Sequence, residues 1–339
     1  RDTEFSVTVR NGDIENLIES GSRRIGIDIF VDGRKAVVTS TDISEESIRQ
    51  IIAEGVELAR LMDRDEYAGL PDKEELGAAE GDLGTFDETT AAVTAAEKIE
   101  MAMRLEQATV DIDSRMISDG ASCSTVTLTS ILANSLGFCE SFERTSSSIS
   151  VSCAAEDRPS SGENKGKKQS SWWYSTSISF AGLDPVEKVA SRAVERTLRK
   201  LGAVKPKSCE VPVVFDDVTA RQLLSYVASA AGGSSIYRKS SFLVDMLGKE
   251  IGSPLVSVID DPLMKGRPGS RPFDGEGVRS RPKTIVDTGI LENYLLSSYQ
   301  ARKLGLKTTG NAGGPSNLYM KAGEQSPEDI IAGVDNGLY

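Results

Sequence analysis

The stretch from residue 260 to residue 319 most constrains how this chain can fold. Two apolar runs at 284–286 and 290–296 flank a short turn at 287–289, and this pattern predicts an antiparallel hairpin. Long loops rich in Gly, Pro and charged residues lie on both sides of the hairpin. Such loops cannot build a core of their own, so the rest of the chain must supply one, and loops of this kind are usually functional.

The loop at 269–277 has the richest chemistry of the stretch. Ser270, Arg271, Asp274 and Glu276 offer a hydroxyl, a guanidinium and two carboxylates among flexible glycines. This set suits the recognition of polar groups or of a peptide backbone. The alternative is a solvated surface loop in which the arginine pairs with a carboxylate.

Several segments of the chain resemble one known family. GSRPFDGEG (269–277), TGILENYLLSSYQARKLGLKTTGNA (288–312) and GPSNLY (314–319) are similar to the third domain of the TldD/PmbA family, in particular its PmbA (TldE) branch. The likeness extends to residues 67–71, 133–138, 173–175 and 234–242. It therefore covers nearly the whole sequence, with its motifs in the same order.

Composition narrows the function classes. The 339 residues carry a formal net charge of −12, which disfavours direct binding to duplex DNA, because that mode needs a concentrated basic face. The one dense basic segment, 165–168, is interpreted as a loop rather than a DNA site. No apolar run approaches the roughly 20 residues that span a bilayer, and the first residues show no signal-peptide pattern. A cytoplasmic protein without membrane contact is expected.

The chain contains no histidine, which excludes a Ser-His-Asp triad, a Cys-His dyad and any zinc site with a histidine ligand from this chain. Its four cysteines form no Cys-x-x-Cys pair and are expected to be buried, reduced thiols. An all-carboxylate site remains open.

The predicted fold class is α+β in three regions. Residues 1–86 form an N-terminal α/β region, with strands near 5–9, 25–29 and 35–40 and then a helix capped by Ser44, whose apolar face includes Ile52 and Met62. Residues 87–205 contain a helix at 90–107, a strand at 109–117, further strands in an antiparallel meander and a closing helix capped by Asp184. Residues 206–339 begin with a strand at 210–215 and a helix from Asp217 or Thr219 to about 231.

The resemblance adds detail to this third region. It implies mainly antiparallel strands curled around the helix that ends in the small residues 228–231, against which something should pack closely. It also implies a further segment after residue 339, so the C-terminal domain is expected to be incomplete.

In the TldD branch, that helix carries the zinc motif His-Glu-x-x-x-His. Its positions fall here on Ser225, Tyr226 and Ala230, which offer a hydroxyl, a phenol and no donor. The resemblance therefore implies no catalytic residue, no metal ligand and no cofactor in this chain, with zinc expected in a TldD-like partner.

Six residues are the candidates for peptide or partner binding: Ser270, Arg271, Asp274, Glu276, Tyr237 and Arg238. Tyr237 and Arg238 could hold a peptide carboxylate, or Arg238 could pair with Asp245. The sequence Asp260-Asp261-Pro262 could be an acid/base or metal pair, but it is foremost a turn signal.

Three functions are compatible with these features. The resemblance implies a PmbA/TldE-like subunit of a cytosolic TldD/TldE-type metallopeptidase that acts on unfolded or leader peptides, in a dimer with a TldD-like subunit or with itself. The second is a modulator or binding protein linked to gyrase or a toxin system, without peptidase activity. The third is an independent hydrolase that uses the carboxylates of residues 260, 261, 274 or 276.

Overall fold

A computed structural model of the chain describes residues 1–157, 167–205 and 207–339. These residues form two compact units. Unit 1 contains Arg1–Arg24, Gly84–Ser130 and Glu143–Pro206, and unit 2 contains Ile25–Leu83, Ile131–Phe142 and Lys207–Tyr339. Residues 165 and 166 of the predicted basic loop lie outside the described residues. The division of the sequence into three consecutive regions stays a prediction.

The described residues contain both helices and sheets. The strands are, in chain order, β1 (Asp2–Arg10), β2 (Asp13–Ser22), β3 (Ile25–Val31), β4 (Arg34–Ser40), β5 (Met116–Ala133), β6 (Cys139–Glu156), β7 (Lys168–Ser177), β8 (Val258–Asp260), β9 (Lys283–Asp287), β10 (Ile290–Leu291) and β11 (Leu318–Met320). The α-helices are α1 (Glu45–Leu61), α2 (Glu88–Ala92), α3 (Ala95–Ile112), α4 (Val186–Leu198), α5 (Asp217–Ala230), α6 (Gly233–Tyr237), α7 (Ser298–Leu304) and α8 (Pro327–Ala332). The predicted α+β class is confirmed.

Unit 1 is built on one sheet with the strand order β2-β1-β5-β6-β7. The neighbours β5, β6 and β7 follow one another in the chain, which confirms the predicted meander. Phe5, Val7 and Val9 alternate along β1 and are buried on one face, as their period of two predicts. In the antiparallel register, Val7 lies opposite Cys123 on β5.

Strand β2 gives no signal of hydrophobic periodicity, because every one of its residues is exposed. It forms because a tight turn precedes it, with φ of 54° at Asn11 and 80° at Gly12. The carboxylate of the buried Glu106 accepts hydrogen bonds from both turn amides, at 2.7 Å from Asn11 and 2.9 Å from Gly12. The turn and its acceptor therefore fix a strand that hydrophobic periodicity cannot reveal.

Helices α3 and α4 supply the apolar cover of unit 1, with Leu105 and Val189 fully buried in its core. The predicted strand at 109–117 was wrong, because α3 continues to Ile112 and β5 begins only at Met116. Thr109 is fully buried, and its hydroxyl donates to the carbonyl of Leu105 at 2.8 Å. A β-branched residue can stay in a helix when its hydroxyl is satisfied in this way.

Two helix starts also differ from prediction. The helix expected at 90–107 is divided into α2 and α3, because Thr94 and Glu97 form a capping box that begins a new helix. Asp184 does not cap α4: Pro185 is the N-cap residue, without a side-chain cap bond, and Asp184 instead pairs with Lys188 at 2.7 Å.

The first part of unit 2 is the β3–β4 hairpin with α1 packed on it. Ser44 caps α1 as predicted. A β carbon at Gly55 would lie only 2.3 Å from Cδ1 of Ile29, so the absence of a side chain lets the helix approach the sheet. The apolar face was partly wrong, because Ile52 and Met62 are 40% and 48% exposed.

The second sheet of unit 2 has the order β10-β9-β8-β11. The predicted hairpin is confirmed as β9–β10, and Thr288 and Gly289 both have positive φ in its turn, at 46° and 84°. The predicted strand at 210–215 was wrong, since only Val213 makes a bridge there, to Leu338. The cap of α5 is Asp216 rather than Asp217 or Thr219.

The four cysteines are free thiols, but the prediction that all are buried was wrong. Cys123 and Cys153 are buried, whereas Cys139 and Cys209 are exposed. Burial raises the pKa of Cys123 to about 12. None of the helices in the described ranges has the length and apolarity needed to cross a bilayer.

Candidate functional site

Helix α5 carries Ser225, Tyr226 and Ala230, the positions on which the resemblance places the zinc motif of the TldD branch. Asp216 begins the helix by accepting the Thr219 amide at 2.8 Å. The hydroxyl of Ser225 donates to the carbonyl of Arg221 in the same helix, at 3.1 Å. Tyr226 is 70% exposed. These positions present no cluster of metal donors.

A zinc ion does not fit these residues. Structural and catalytic zinc sites use Cys, His, Asp or Glu ligands, and the three motif positions supply none of them. The Ser225 hydroxyl is already engaged in its own helix. Among the described residues, no group of three or more His, Cys, Asp or Glu side chains could hold a metal ion.

The small residues at the end of α5 allow a close approach by another segment, as predicted. The amide of Leu295 donates to the carbonyl of Ala231, and the amide of Gly233 donates to the carbonyl of Leu295, each at 2.9 Å. A β carbon at Gly233 would lie 2.5 Å from Oε1 of Gln300. The segment before α7 therefore packs directly against this helix end inside unit 2.

Asp260 is fully buried at the centre of a polar network. Its Oδ1 accepts from the amide and the hydroxyl of Ser316, both at 2.6 Å, and its Oδ2 accepts from Asn311 at 2.9 Å. The ammonium group of Lys283 lies 3.5 Å from Oδ2. Burial alone would raise the pKa of Asp260, but the bonds from Ser316 and Asn311, with the charge of Lys283, hold that pKa below its ordinary value.

Asp274 is buried in the loop at 269–277 and, like Asp260, accepts several hydrogen bonds. Its Oδ1 accepts from the amides of Glu276 and Val278, at 2.9 and 3.0 Å, and its Oδ2 accepts from the amide of Ala312 at 2.9 Å. Burial raises the pKa of Asp274, although these three amides oppose the shift. Glu276 accepts the amide of Ser298, at the first turn of α7, at 2.8 Å. The two carboxylates of this loop therefore each bind backbone amides.

Ser270 and Arg271 connect the same loop to the segment that leads into β11. Ser270 is fully buried and donates to the carbonyl of Met264, and its oxygen accepts from Asn317 at 2.9 Å. Arg271 donates to the carbonyl of Gly314 at 2.6 Å. Asn317 also accepts the amide of residue 269 at 2.9 Å. The loop thus holds the start of β11 in place.

Tyr237 and Arg238 lie at the end of α6. Nε of Arg238 donates to the hydroxyl of Tyr237 at 3.2 Å rather than pairing with Asp245, and Tyr237 packs edge-on against Tyr299 at 6.2 Å between ring centroids. Arg238 is exposed. Direct contact of these two residues, or of the 269–277 loop, with a peptide stays a prediction.

A cavity of about 140 Å³ in unit 2 was missed by the sequence interpretation. Arg279, Arg281 and Lys283 line it from alternate positions of one segment. Their spacing of two is the signal that could have revealed it, because alternate residues of an extended segment share a face.

Comparison with known proteins assigns the family. Three family models match the chain: PmbA/TldA metallopeptidase domain 1 at residues 1–59, the central domain at 88–201 and the C-terminal domain at 208–339. The chain is 34% identical over 338 residues to Metalloprotease PmbA of Escherichia coli O157:H7, covering 99% of this chain and 73% of that protein. The chain belongs to the PmbA/TldD metallopeptidase family. The resemblance seen in the sequence is thereby confirmed.

Other PmbA/TldD proteins give the same assignment. A Metalloprotease PmbA homolog of Haemophilus influenzae is 33% identical over 94% of this chain and 68% of its own length. A solved structure from Bacteroides thetaiotaomicron, described as a candidate modulator of DNA gyrase, has a TM-score of 0.91 at 28% identity, covering 99% of this chain and 75% of that one. TldE from Thermococcus kodakarensis has the same fold, with a TM-score of 0.83 at 20% identity, covering 99% and 76%.

Proposed function

We propose that this chain is the metal-free subunit of a two-chain metallopeptidase, in which a TldD-like partner provides the zinc site. One observation carries the proposal: the motif positions on α5 hold Ser225, Tyr226 and Ala230, and the chain has no histidine. The relatives named metalloprotease support the protease family, and they include TldD homologs as well as PmbA proteins. The PmbA/TldD fold is therefore kept here while the zinc ligands are supplied by another chain.

The proposed substrates are unfolded or extended peptides, including leader peptides. Strand β11 pairs with β8 and with no other strand of the described ranges, so its second edge offers free backbone groups. Tyr319 and Met320 on this strand are 37% and 49% exposed. An extended peptide can add to such an edge through backbone hydrogen bonds, which gives binding with little sequence preference.

The candidate residues of the 269–277 loop would act by shaping this edge. Asn317, one residue before β11, is held by Ser270 and by the amide of residue 269. Asp260 lies opposite Leu318 in the β8–β11 register. The buried carboxylates and the serine thus support the strand to which a peptide would add. The assembly would be cytoplasmic, with the chain paired to a TldD-like subunit or to a second copy.

We expect the purified chain alone to bind no stoichiometric zinc and to cleave no peptide. Cleavage of an unfolded peptide should appear when the chain is mixed with a TldD-like protein that carries the histidine motif. Zinc content by elemental analysis and peptide cleavage by mass spectrometry measure both outcomes.

The matched control is the same partner with one motif histidine changed to Ala, which should leave the mixture inactive. A zinc chelator should also stop the reaction. Cleavage by the pure chain that resists the chelator would contradict the proposal.

A second candidate is a gyrase-associated binding protein. It is favoured by the solved structure with a TM-score of 0.91 that is described as a candidate modulator of DNA gyrase. The net charge of −12 disfavours contact with DNA. In this second candidate function, the chain would therefore contact gyrase itself. Co-purification that recovers gyrase and no TldD-like protein would favour it over the subunit proposal.

A further inference from the structure

The cavity beside Lys283 has the character of an anion site. One wall is the segment 278–283, and the other is the turn 308–310. Three of its eight lining residues are cationic, and none is acidic. The protein as a whole carries a net charge of −12, so the composition of the chain does not account for this local excess of positive charge.

The positive charges of the cavity are only partly neutralised. Arg281 pairs with Glu75 at 2.6 Å, and Lys283 lies 3.5 Å from Asp260. The guanidinium of Arg279 makes no ion pair or hydrogen bond with the part of the chain that the structure describes. Two of the three lining cations thus pair with a carboxylate, and the guanidinium of Arg279 is left to bind an anion.

Two of these cations are held in place before any ligand arrives. A β carbon at Gly77 would lie 2.8 Å from Nη2 of Arg279, so the guanidinium lies directly against the backbone of this glycine. The side chain of Lys283 is 9% exposed, and the 3.5 Å contact with Asp260 is the hydrogen bond its ammonium group makes. An ammonium group has three N–H donors, so two remain after the bond to Asp260.

The size of the cavity restricts what it can hold. About 140 Å³ is room for roughly five waters, well below the 300 Å³ or more of sites that enclose a drug-sized ligand. A guanidinium binds a carboxylate through two parallel hydrogen bonds, and a lysine adds a point charge. We propose that this cavity is a carboxylate subsite that takes the C-terminal carboxylate of a peptide. The identity of this ligand rests on the proposed function, whereas the binding of an anion follows from the cavity itself.

The test is calorimetric titration of the isolated chain with acetyl-Ala-Ala and with acetyl-Ala-Ala-amide at low ionic strength. The free acid should bind with a Kd on the order of 1 mM, and the amide should bind at least about tenfold more weakly. Arg279→Gln should weaken binding of the acid about tenfold or more. It should have little effect on folding, because this guanidinium makes no ion pair or hydrogen bond within the described residues.

One variant serves as the matched control. Arg267→Gln removes an equal charge from an exposed residue that does not line the cavity, and it should leave binding unchanged. Equal binding of acid and amide, or equal binding of the acid by the wild-type chain and by Arg279→Gln, would overturn the proposal.

Two further probes identify the source of the anion. Acetyl-Glu-amide carries its only carboxylate on a side chain, and inorganic phosphate carries none. Either probe binding more tightly than acetyl-Ala-Ala, with loss on Arg279→Gln, would overturn the assignment to a peptide terminus. These titrations contain no partner and no cleavage step. Their failure therefore leaves the subunit proposal standing, and a failure to reconstitute peptidase activity leaves the titration result standing.

Discussion

Replacing Asp260 by Asn should destabilise unit 2 by about 3–5 kcal/mol, because the change leaves the ammonium group of Lys283 buried without its counter-charge. The side chain of Lys283 is 9% exposed and that of Asp260 is fully buried, so solvent screens the unpaired ammonium group only weakly. The amide that replaces Oδ1 or Oδ2 would also point N–H donors at groups that already donate, the Ser316 amide or Asn311.

The measurement must report on unit 2. Both tryptophans, Trp172 and Trp173, lie on β7 in unit 1, so their fluorescence follows the other unit. Hydrogen exchange of the peptides that contain β8 and β9, measured by mass spectrometry across a urea series, reports the stability of the two strands that carry Asp260 and Lys283. Glu292→Gln is the matched control: it removes one carboxylate charge from an exposed residue, and it should change stability by less than about 0.5 kcal/mol. Equal effects of the two variants would show that the buried pair does not stabilise the sheet.

The same variant has a defined dependence on pH. The folded pKa of Asp260 is below its ordinary value of 3.8, so the stability from this group is fully present above 3.8 and is lost as pH falls through the folded pKa. The difference between wild type and Asp260→Asn should therefore be constant near neutral pH and shrink below about pH 3.8. The contribution of Asp274 to stability depends on pH in the opposite direction. Burial raises the pKa of Asp274 in the folded chain, so this contribution is lost as pH rises through the folded pKa.

The sequence correctly predicted elements that depend on a few neighbouring residues. The hairpin at β9–β10, the cap at Ser44 and the alternation along β1 all follow from a few neighbouring residues. Strand β2 was missed although Asn11-Gly12 is a local turn signal, because all residues of the strand are exposed and show no buried face. The continuation of α3 was missed because the β-branched Thr109 favours a strand, whereas its hydroxyl bonds to the carbonyl of Leu105 four residues earlier in the helix.

In the candidate site, too, the sequence revealed features that depend on neighbouring residues and missed those that depend on distant ones. Sequence reasoning selected the loop at 269–277 for its polar groups, but composition cannot tell whether a carboxylate faces solvent or the protein. Asp274 and Glu276 bind backbone amides that are 38 and 22 residues away. The cavity was missed because its second wall, at 308–310, is distant in sequence from the cations. The replacement of the zinc motif on α5 stays a prediction from the sequence, since it depends only on which residues stand at fixed spacings in one helix.

Replacing Gly289 by Ala should destabilise unit 2 by about 2–4 kcal/mol. Its φ is 84°, a conformation that costs an L side chain roughly 1 kcal/mol or more. A β carbon there would also lie 2.3 Å from the carbonyl oxygen of Gly252 and 2.8 Å from that of Ser253. Both atoms belong to the backbone, so a rotamer change cannot relieve the contact, and the β9–β10 turn must move away from this loop.

Gly248→Ala separates the two causes. Its φ is 73°, close to that of Gly289, but its added β carbon would meet no atom within 4 Å. Backbone strain alone should therefore cost Gly248→Ala about 1 kcal/mol, and the excess loss in Gly289→Ala measures the clash with the carbonyl groups. Hydrogen exchange at β9 and β10 should report this excess, because the amides of Gly289 and Ile251 bind across the contact, to Val256 and Gly289 respectively. If both variants lose the same stability, the loop at 252–253 can move aside without cost, and the turn does not depend on the close approach that glycine permits.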